Sequence, residues 1–274
     1  MSSILDRIFA AKREELRERQ QLVSRDAIAA AARGTAAPRD IVAALRARRP
    51  AIIAEVKRAS PSKGDIMPGL DPATVGRDYA SSGAAAISVL TDRHFKGSLE
   101  DLRTVRAAVD LPLLRKDFIF DDYQLFEARA AGADCILLIA AMLTQGALST
   151  LAEAARKLGL AALIEVHNRA EFARAAEMDA ELIGINNRDL HTFKTDIALT
   201  EQLLEDYRGP ALIVAESGIE TPAQIARLDR AGASAFLIGE SLLRGGNPRV
   251  ALAALAGALG ESARVNKITA GSNI

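Results

Sequence analysis

The sequence predicts an α/β fold, a (β/α)8 TIM barrel with an N-terminal helical extension. Three observations lead to this prediction. From residue 51 onward, short apolar runs alternate with stretches of helical period at a spacing of about 20 to 30 residues. The runs are apolar nearly throughout, which is typical of parallel strands covered on both faces. The length of 274 residues also lies in the range that such barrels occupy as one domain.

The extension comes first in the chain. Residues 1–47 predict two amphipathic helical pieces, with an apolar stripe formed by Ile4, Leu5, Ile8 and Phe9. The charged run KREELRERQ from Lys12 is interpreted as a solvated helix surface. We therefore predict a single domain over 1–274, divided into an extension (1–47), a barrel (48–260) and a polar tail (261–274) that is expected to fray.

About eight apolar runs are candidates for the barrel strands. They are AIIAEVK from Ala51, AAISVLT from Ala85, LPLLRKDF from Leu111, CILLIAA from Cys135, AALIEVH from Ala161, LIGINNRD from Leu182, ALIVAESG from Ala211 and AFLIGES from Ala235. An open doubly wound sheet is the structural alternative. Its dinucleotide-binding form needs a glycine fingerprint after the first strand, where this chain has KRASPSKG, so the closed barrel is favoured.

Helical segments lie between the strand candidates and carry recognisable ends. They include SLEDLRTVRAAVD from Ser98, LSTLAEAARKLG from Leu148 and TPAQIARLDRAGA from Thr221, and several open on residues that cap helices. Four glycines each follow an Ala-rich helical stretch, at a position where a left-handed residue would end the helix. These are Gly83, Gly132, Gly159 and Gly232.

Composition excludes several classes of protein. Lysine and arginine number 35, as do aspartate and glutamate, so the broad positive field of a nucleic-acid binder is missing. No apolar run is long enough to span a membrane, and the charged amino terminus does not resemble a signal peptide. We expect a cytoplasmic protein without nucleic-acid or membrane partners. The single cysteine, Cys135, is interpreted as a buried core residue, and the sequence leaves the oligomeric state open, with a monomer as the working expectation.

Charged and polar side chains end several of the apolar strands, where a barrel builds its active site. Glu55 and Lys57 are two residues apart and therefore point to the same side of their strand. The corresponding residues of later strands are Lys116, Glu165, Asn186, Arg188 and Glu216. A structural ring of salt bridges could account for them, but so many buried charges favour a catalytic ring of mixed charge.

The last two strands carry a second signal, because barrels commonly bind phosphate there through backbone amides. Ser217 and Gly218 follow the seventh strand, and Gly239 follows the eighth. Side-chain donors to the same phosphate could come from Ser60 and Ser62 in the first loop and from Arg188.

Together these motifs resemble the indole-3-glycerol phosphate synthase family over nearly the whole chain. The resemblance rests on IIAEVKRASPSKG from Ile52, LLRKDFIFDDYQ from Leu113, LIEVHN from Leu163, IGINNRDL from Ile183, AESGI from Ala215 and FLIGESLLR from Phe236, and the opening ILDRIFAAKREEL from Ile4 is similar to the family's helical extension. It implies closure of 1-(2-carboxyphenylamino)-1-deoxyribulose 5-phosphate to indole-3-glycerol phosphate, with loss of carbon dioxide and water and without a cofactor.

The resemblance also implies a role for each candidate residue. Lys116 would be the general acid on the keto oxygen, and Glu165 the base of the dehydration. Lys57, held by Glu55, would engage the anthranilate carboxylate. The remaining implied contacts are Asn186 and Glu216 for the ribulose hydroxyls, Ser60, Arg188, Ser217, Gly218, Gly239 and Glu240 for the phosphate, and Phe95 and Phe118 as walls for the anthranilate ring.

Three alternatives remain beside this interpretation. A Schiff-base aldolase on the same barrel would also use a strand-end lysine, and a phosphosugar isomerase would need a cysteine or aspartate base. A non-catalytic metabolite sensor would have lost charged strand-end residues, all of which are present. No metal site is predicted, because His94, His167 and His191 lack ligand spacing and are assigned loop or surface roles.

Overall fold

The eight apolar runs form the closed parallel barrel that the sequence predicts. The computed structural model describes residues 4–60, 64–67, 69–189 and 192–259, and the side chains of these residues other than 4–7 and 60. Each strand pairs with its neighbours in chain order, and the first strand pairs with the last to close the ring. The strands are β1 (Ala51–Val56), β2 (Ala86–Leu90), β3 (Leu113–Lys116), β4 (Cys135–Ile139), β5 (Ala161–Val166), β6 (Leu182–Asn186), β7 (Leu212–Glu216) and β8 (Ala235–Ile238).

Helices precede the barrel and follow every strand of it. In the extension they are α1 (Ile4–Leu22), α2 (Arg25–Arg33) and α3 (Ile41–Arg46). In the barrel they are α4 (Pro72–Ser81), α5 (Leu99–Ala108), α6 (Asp122–Ala130), α7 (Gln145–Lys157), α8 (Arg169–Ala176), α9 (Ala198–Leu204), α10 (Pro222–Ala231), α11 (Glu240–Leu243) and α12 (Pro248–Ala256). Two 3-10 turns (Arg93–Phe95 and Ala140–Met142) and a short antiparallel pair (Ala59–Ser60 with Gly64–Asp65) complete the described elements.

The predicted helix ends are confirmed. Ser98 and Thr221 form capping boxes at the starts of α5 and α10, which pair otherwise free backbone N–H groups. Gly83, Gly132, Gly159 and Gly232 all have positive φ, as expected of residues that end helices. At Gly132 a side chain is excluded by space as well, because an added Cβ would lie 2.7 Å from Cγ of Arg106. None of the described helices is long and apolar enough to cross a membrane.

The strand pleat divides the buried apolar residues into two clusters. In β1, Ile52 and Ala54 pack outward against the helices, whereas Ile53 points into the barrel. The inner cluster also contains Leu114 and Leu237 from β3 and β8. At the carboxyl ends the inward positions carry charged residues instead of apolar ones, so the apolar interior stops where the functional site begins.

The extension has three helices where the sequence analysis predicted two. Ile41, Val42 and Leu45 of α3 belong to the inner cluster and therefore cover the amino end of the barrel. Asp134 ties the segment ahead of α3 to the barrel, because its carboxylate accepts hydrogen bonds from the backbone N–H groups of Arg39 and Leu113 at 2.8 and 2.7 Å. The extension thus packs against the barrel along its own length.

The interpretation of KREELRERQ as a solvated surface is wrong at three positions. Lys12, Glu15 and Leu16 are buried. Glu15 and Leu16 lie three and four residues after Lys12, which itself lies four residues after Ile8, so all of them share the helix face that turns toward the barrel. Burial of Lys12 is made possible by Asp92 and Asp117, which follow β2 and β3 and face its ammonium. Sequence periodicity could not show those distant partners.

Candidate active site

An open cavity of about 400 Å³ lies at the carboxyl ends of the strands, where the sequence predicts the site. It brings together nearly all the predicted residues. Those lining it are Glu55, Lys57, Phe95, Lys116, Phe118, Glu165, Asn186, Arg188, Glu216, Ser217, Gly218, Gly239 and Glu240. Its walls differ in character from one end to the other, with aromatic residues after β2 and β3 and glycine-rich turns after β7 and β8.

The Lys116 ammonium lies at the centre of the charged residues. Its Nζ donates hydrogen bonds to Oε2 of Glu165 at 2.9 Å and to Oε2 of Glu216 at 3.0 Å. Burial alone would lower the pKa of Lys116, but the negative charges of Glu165, Glu216 and Glu55 outweigh this effect and raise it. Lys116 is therefore charged at neutral pH and can donate a proton.

The two carboxylates beside Lys116 differ in their surroundings. For Glu165, burial favours the neutral form, but the positive charges of Lys116 and His167 outweigh it and lower its pKa. For Glu216, burial and repulsion from Glu165 outweigh the attraction of Lys116 and raise its pKa to about 7. At neutral pH the pair therefore holds one firmly ionised carboxylate and one that is poised to exchange a proton.

Lys57 and Glu55 form a second ion pair at the carboxyl end of the first strand. Nζ of Lys57 lies 2.8 Å from Oε2 of Glu55, which agrees with the prediction that the two side chains point to the same side. The Tyr79 hydroxyl donates to the backbone carbonyl of Glu55 at 3.1 Å and fixes the end of β1 from behind. Lys57 remains partly exposed to the cavity, where its charge can meet an anionic group.

Two glycines, one within β6 and one just after β8, make room for the carboxylates. A Cβ on Gly184 of β6 would lie 2.2 Å from Oε1 of Glu216, and a Cβ on Gly239 would lie 2.5 Å from Oε2 of Glu55. Real side chains do not approach so closely. Gly239 was predicted only as part of a phosphate cradle, and the structure shows that it also bounds the ion pair on β1.

The turns after β7 and β8 form the other end of the cavity. Ser217 and Gly218 both have positive φ, at 66° and 74°; this conformation is uncommon for serine, and residues held in such strained backbone cluster at active sites and ligand-binding turns. Arg188 approaches from β6, with Nη2 at 3.7 Å from Oε2 of Glu240. Arg244 also lines this end and was not identified from the sequence, because it lies beyond the strand, within the last βα segment.

The opposite end of the cavity is largely apolar. Phe95 lies in the 3-10 turn after β2, and Phe118 lies just after β3. Leu90, Leu137, Ile139 and Ile8 add to this wall and were not singled out from the sequence. The strand residues among them match the inward parity of Lys116, but Ile8 belongs to α1 and could be placed only by the tertiary structure.

The predictions for the serine donors, the histidines and the cysteine have different outcomes. Ser60 lies in the short antiparallel pair, but its side chain, like Ser62 and His191, lies outside the described residues. His167 was assigned a loop or surface role; it does lie in the loop after β5, but its side chain is largely buried, with Nε2 3.3 Å from Oε1 of Glu165. Cys135 is buried in the inner cluster, which confirms its structural interpretation. Among the described residues, no group of three His, Cys, Asp or Glu side chains is arranged to hold a metal ion.

Comparisons with known proteins point to one family. The family model described as indole-3-glycerol phosphate synthase matches residues 5–255. Among similar proteins, the indole-3-glycerol phosphate synthase of Acidithiobacillus ferrooxidans is 49% identical over 92% of this chain and 98% of its own length. The one from a Polaromonas species is 48% identical over 94% of this chain and 99% of its own.

Solved structures of more distant sequence share the fold. An N-acetylmannosamine-6-phosphate 2-epimerase from Clostridium perfringens matches with a TM-score of 0.59 and 14% identity over 76% of this chain and 93% of its own. A thiamine phosphate pyrophosphorylase from Pyrococcus furiosus matches with a TM-score of 0.58 and 15% identity over 80% of this chain and 98% of its own. At such low identity these structures support the barrel alone.

His167 should make stability depend on alkaline pH. Burial alone would lower the pKa of His167, but the nearby carboxylates of Glu165 and Glu171 outweigh it and raise the pKa to about 9. Because the folded value exceeds the unfolded value of about 6.5, the stabilisation is complete below that pH and is lost as pH rises through 9. The free-energy advantage of wild type over His167→Gln should fall by about 3 kcal/mol across this window, at about 1.36 kcal/mol per pKa unit.

Urea unfolding at a series of pH values, together with an NMR titration of the His167 ring, measures this effect. Glu171→Gln removes one of the two carboxylates that contact the ring and should lower the titration midpoint. A ring that titrates at or below its ordinary value in wild type would contradict the prediction.

Proposed function

The chain belongs to the indole-3-glycerol phosphate synthase family and is thus a carboxy-lyase of tryptophan biosynthesis, and we propose that the residues around Lys116 carry out its ring closure. The substrate would be 1-(2-carboxyphenylamino)-1-deoxyribulose 5-phosphate, and the products indole-3-glycerol phosphate, carbon dioxide and water. The observation that supports this assignment is one buried ammonium held by two carboxylates, between an apolar end and a glycine-rich end of the same cavity.

The two ends of the cavity suggest how the substrate lies. The anthranilate ring would pack between Phe95 and Phe118, and the phosphate would lie at Ser217, Gly218 and the backbone of Gly239 and Glu240. Arg188 would add charge to the phosphate site, and Ser60 is kept as a further donor. The keto group lies between the ring and the phosphate along the substrate, so this orientation places it near Lys116.

Lys116 would then act as the general acid in the first step. A lysine ammonium has three donors, and Glu165 and Glu216 accept two hydrogen bonds from it. The third can reach the keto oxygen. As the ring carbon attacks the carbonyl carbon, negative charge develops on that oxygen, and proton transfer from Lys116 removes it. The nitrogen of the anilino group supplies the electrons for this attack.

Lys57 would bind the anthranilate carboxylate, with Glu55 holding the ammonium in place. After ring closure the carbon that bears the carboxylate has lost its aromatic character, and departure of carbon dioxide returns the bonding electrons toward the nitrogen. The hydroxyl group formed from the ketone and a proton must then both be lost, so that water is eliminated and the ring regains its aromatic character. Glu165, ionised beside Lys116, would accept that proton, and Asn186 and Glu216 would orient the ribulose hydroxyls.

A second assignment of the base is favoured by one observation. The pKa of Glu216 is raised to about 7, so this group loses and gains a proton near neutral pH more readily than Glu165. Both carboxylates contact the same ammonium and line the same cavity. Replacing Glu165 or Glu216 with glutamine therefore distinguishes which of the two carboxylates is the base.

Further proposals concern the setting of the enzyme. We propose that it works in the cytoplasm as a monomer, with no membrane partner and, because its acidic and basic residues balance, with no nucleic-acid partner. No step of the proposed reaction is assigned to a metal ion or a cofactor. Sedimentation of the purified protein would test the monomer.

The proposed function is tested by adding the purified protein to carboxyphenylamino-deoxyribulose phosphate in metal-free buffer. Because the chain contains no tryptophan, indole fluorescence from the product would stand above a quiet background. We expect the fluorescence to rise and carbon dioxide to be released in equal amount. A folded protein that gives a flat trace would refute the assignment.

Lys116→Ala should abolish ring closure while phosphate still binds, because the substituted side chain lies on β3 and the phosphate site lies after β7 and β8. Turnover by fluorescence and inorganic phosphate binding by calorimetry measure the two properties. Lys157→Ala removes an exposed lysine on α7 and serves as the control that keeps activity. Near-normal turnover by Lys116→Ala would remove Lys116 from the role of general acid.

Glu165→Gln should lower the rate by about 10² to 10⁴-fold, the usual contribution of a positioned acid or base. Glu216→Gln makes the same change at the other carboxylate beside Lys116 and should cost less, because its proposed role is orientation. Steady-state rates of both variants provide the comparison. If Glu216→Gln proves the slower enzyme, the base is Glu216.

A further inference from the structure

The ammonium of Lys12 is fully buried although the residue lies in the N-terminal helix, before the barrel begins. Its Nζ lies 3.0 Å from Oδ2 of Asp92 and 2.8 Å from Oδ1 of Asp117, and both carboxylates are themselves fully buried. Glu15 on the same helix lies 3.1 Å away. Burying a charge in this way is costly unless partners compensate it, so the arrangement constrains Lys12 and the two aspartates to one another.

The two aspartates belong to the two loops that carry the apolar end of the active site. Asp92 follows β2, caps the 3-10 turn that contains Phe95, and accepts a hydrogen bond from the backbone N–H of His94 at 2.8 Å. Asp117 lies between Lys116 and Phe118, and its Oδ1 accepts from the backbone N–H of Phe118 at 2.9 Å. The Lys12 ammonium thus links the two aspartates that hold the backbone of the loops with Phe95 and Phe118.

Buried partners on the barrel side hold Asp117 from the opposite direction. Arg115, also fully buried, places Nη2 at 2.9 Å from Oδ2 of Asp117, and the Thr91 hydroxyl donates to the same oxygen at 2.7 Å. Burial opposes the charged form of Lys12, but Asp117 and Asp92 outweigh it and raise its pKa. The group is therefore an ammonium at every pH at which the enzyme would be assayed.

The helix that Lys12 anchors also contributes to the cavity wall. Ile8 lies one turn before Lys12 and lines the pocket beside Phe95 and Phe118. Phe9 packs against Phe120 with ring centroids 4.8 Å apart in an edge-to-face arrangement. Movement of α1 would therefore move a wall of the site.

We infer that Lys12 is a positioning residue of the active site, which holds α1 and the loops after β2 and β3 in one arrangement and so fixes the apolar end of the cavity. This inference rests on the proposed function, because it assigns the aromatic part of the substrate to that end. Lys12 touches no reacting atom in this account. It acts through Asp92 and Asp117 on Phe95, Phe118 and the end of the strand that carries Lys116.

The first test compares Lys12→Met with wild type and with Lys157→Met, an exposed lysine on α7. We expect kcat/KM for carboxyphenylamino-deoxyribulose phosphate to fall by about 10²-fold in Lys12→Met, the usual effect of displacing reacting groups by about 1 Å. The dissociation constant of inorganic phosphate should stay unchanged, because the phosphate end lies across the cavity. Lys157→Met should match wild type in both measurements.

A second variant separates positioning from charge balance. Lys12→Met leaves Asp92 buried without its lysine, whereas Asp117 keeps Arg115. The double variant Lys12→Met with Asp92→Asn removes that imbalance and should recover stability in urea unfolding. If Lys12 positions the loops, kcat/KM of the double variant stays low although its stability returns.

The inference would be overturned by a wild-type value of kcat/KM in Lys12→Met. It would also be overturned if kcat/KM returned to the wild-type value in the stabilised double variant. Equal losses of phosphate binding and kcat/KM in the double variant would show a general disruption and would also overturn it. Inactive wild-type enzyme would instead refute the proposed function, so the two failures are distinguishable.

Hydrogen exchange should be faster in α1 and in residues 93–97 of the variants, with α10 unchanged.

Discussion

The rest of the site depends on the ion pairs that the Lys116 ammonium forms with Glu165 and Glu216. A lysine buried at the end of a barrel strand is stable only with opposite charges, and Glu165 and Glu216 provide them within 3.0 Å. The two carboxylates in turn require space and partners. Gly184 provides space for Glu216, and His167 provides a second cation for Glu165. Each residue of the cluster is therefore constrained by its neighbours, and the charges that we propose for ring closure are held in a fixed arrangement.

The extension is joined to the barrel in the same way, by a buried charge that is paired with opposite charges. Lys12 pairs with aspartates that follow β2 and β3, just as Lys116 pairs with glutamates that end β5 and β7. The two networks meet at Lys116 and Asp117, which are adjacent in the chain. Meanwhile α3 covers the opposite end of the barrel with apolar side chains. One short extension thus contributes to the closure of both ends, by ion pairing at one and by hydrophobic packing at the other.

Much of this could be predicted because it is encoded locally. Strand period, glycine stops and helix caps depend on residues close in sequence, and the barrel and its helices were predicted from them. The inward parity of Glu55, Lys116, Glu165 and Glu216 follows from the pleat, so the charged ring was predicted as well. Specific motifs added the family. What local pattern missed were contacts between distant segments: the burial of Lys12, the cavity role of Ile8, and the position of His167 against Glu165.

The sequence by itself determined the alternation of strands and helices, the end of each strand at which charge appears, and the glycine turns after the last two strands, because all of these follow from short-range periodicity and residue type. Only the tertiary structure decided which charges neutralise one another. The charged run from Lys12 resembles a wet helix surface until the barrel places two aspartates against it. Electrostatic burial depends on distances between groups far apart in the chain, and folding alone sets those distances.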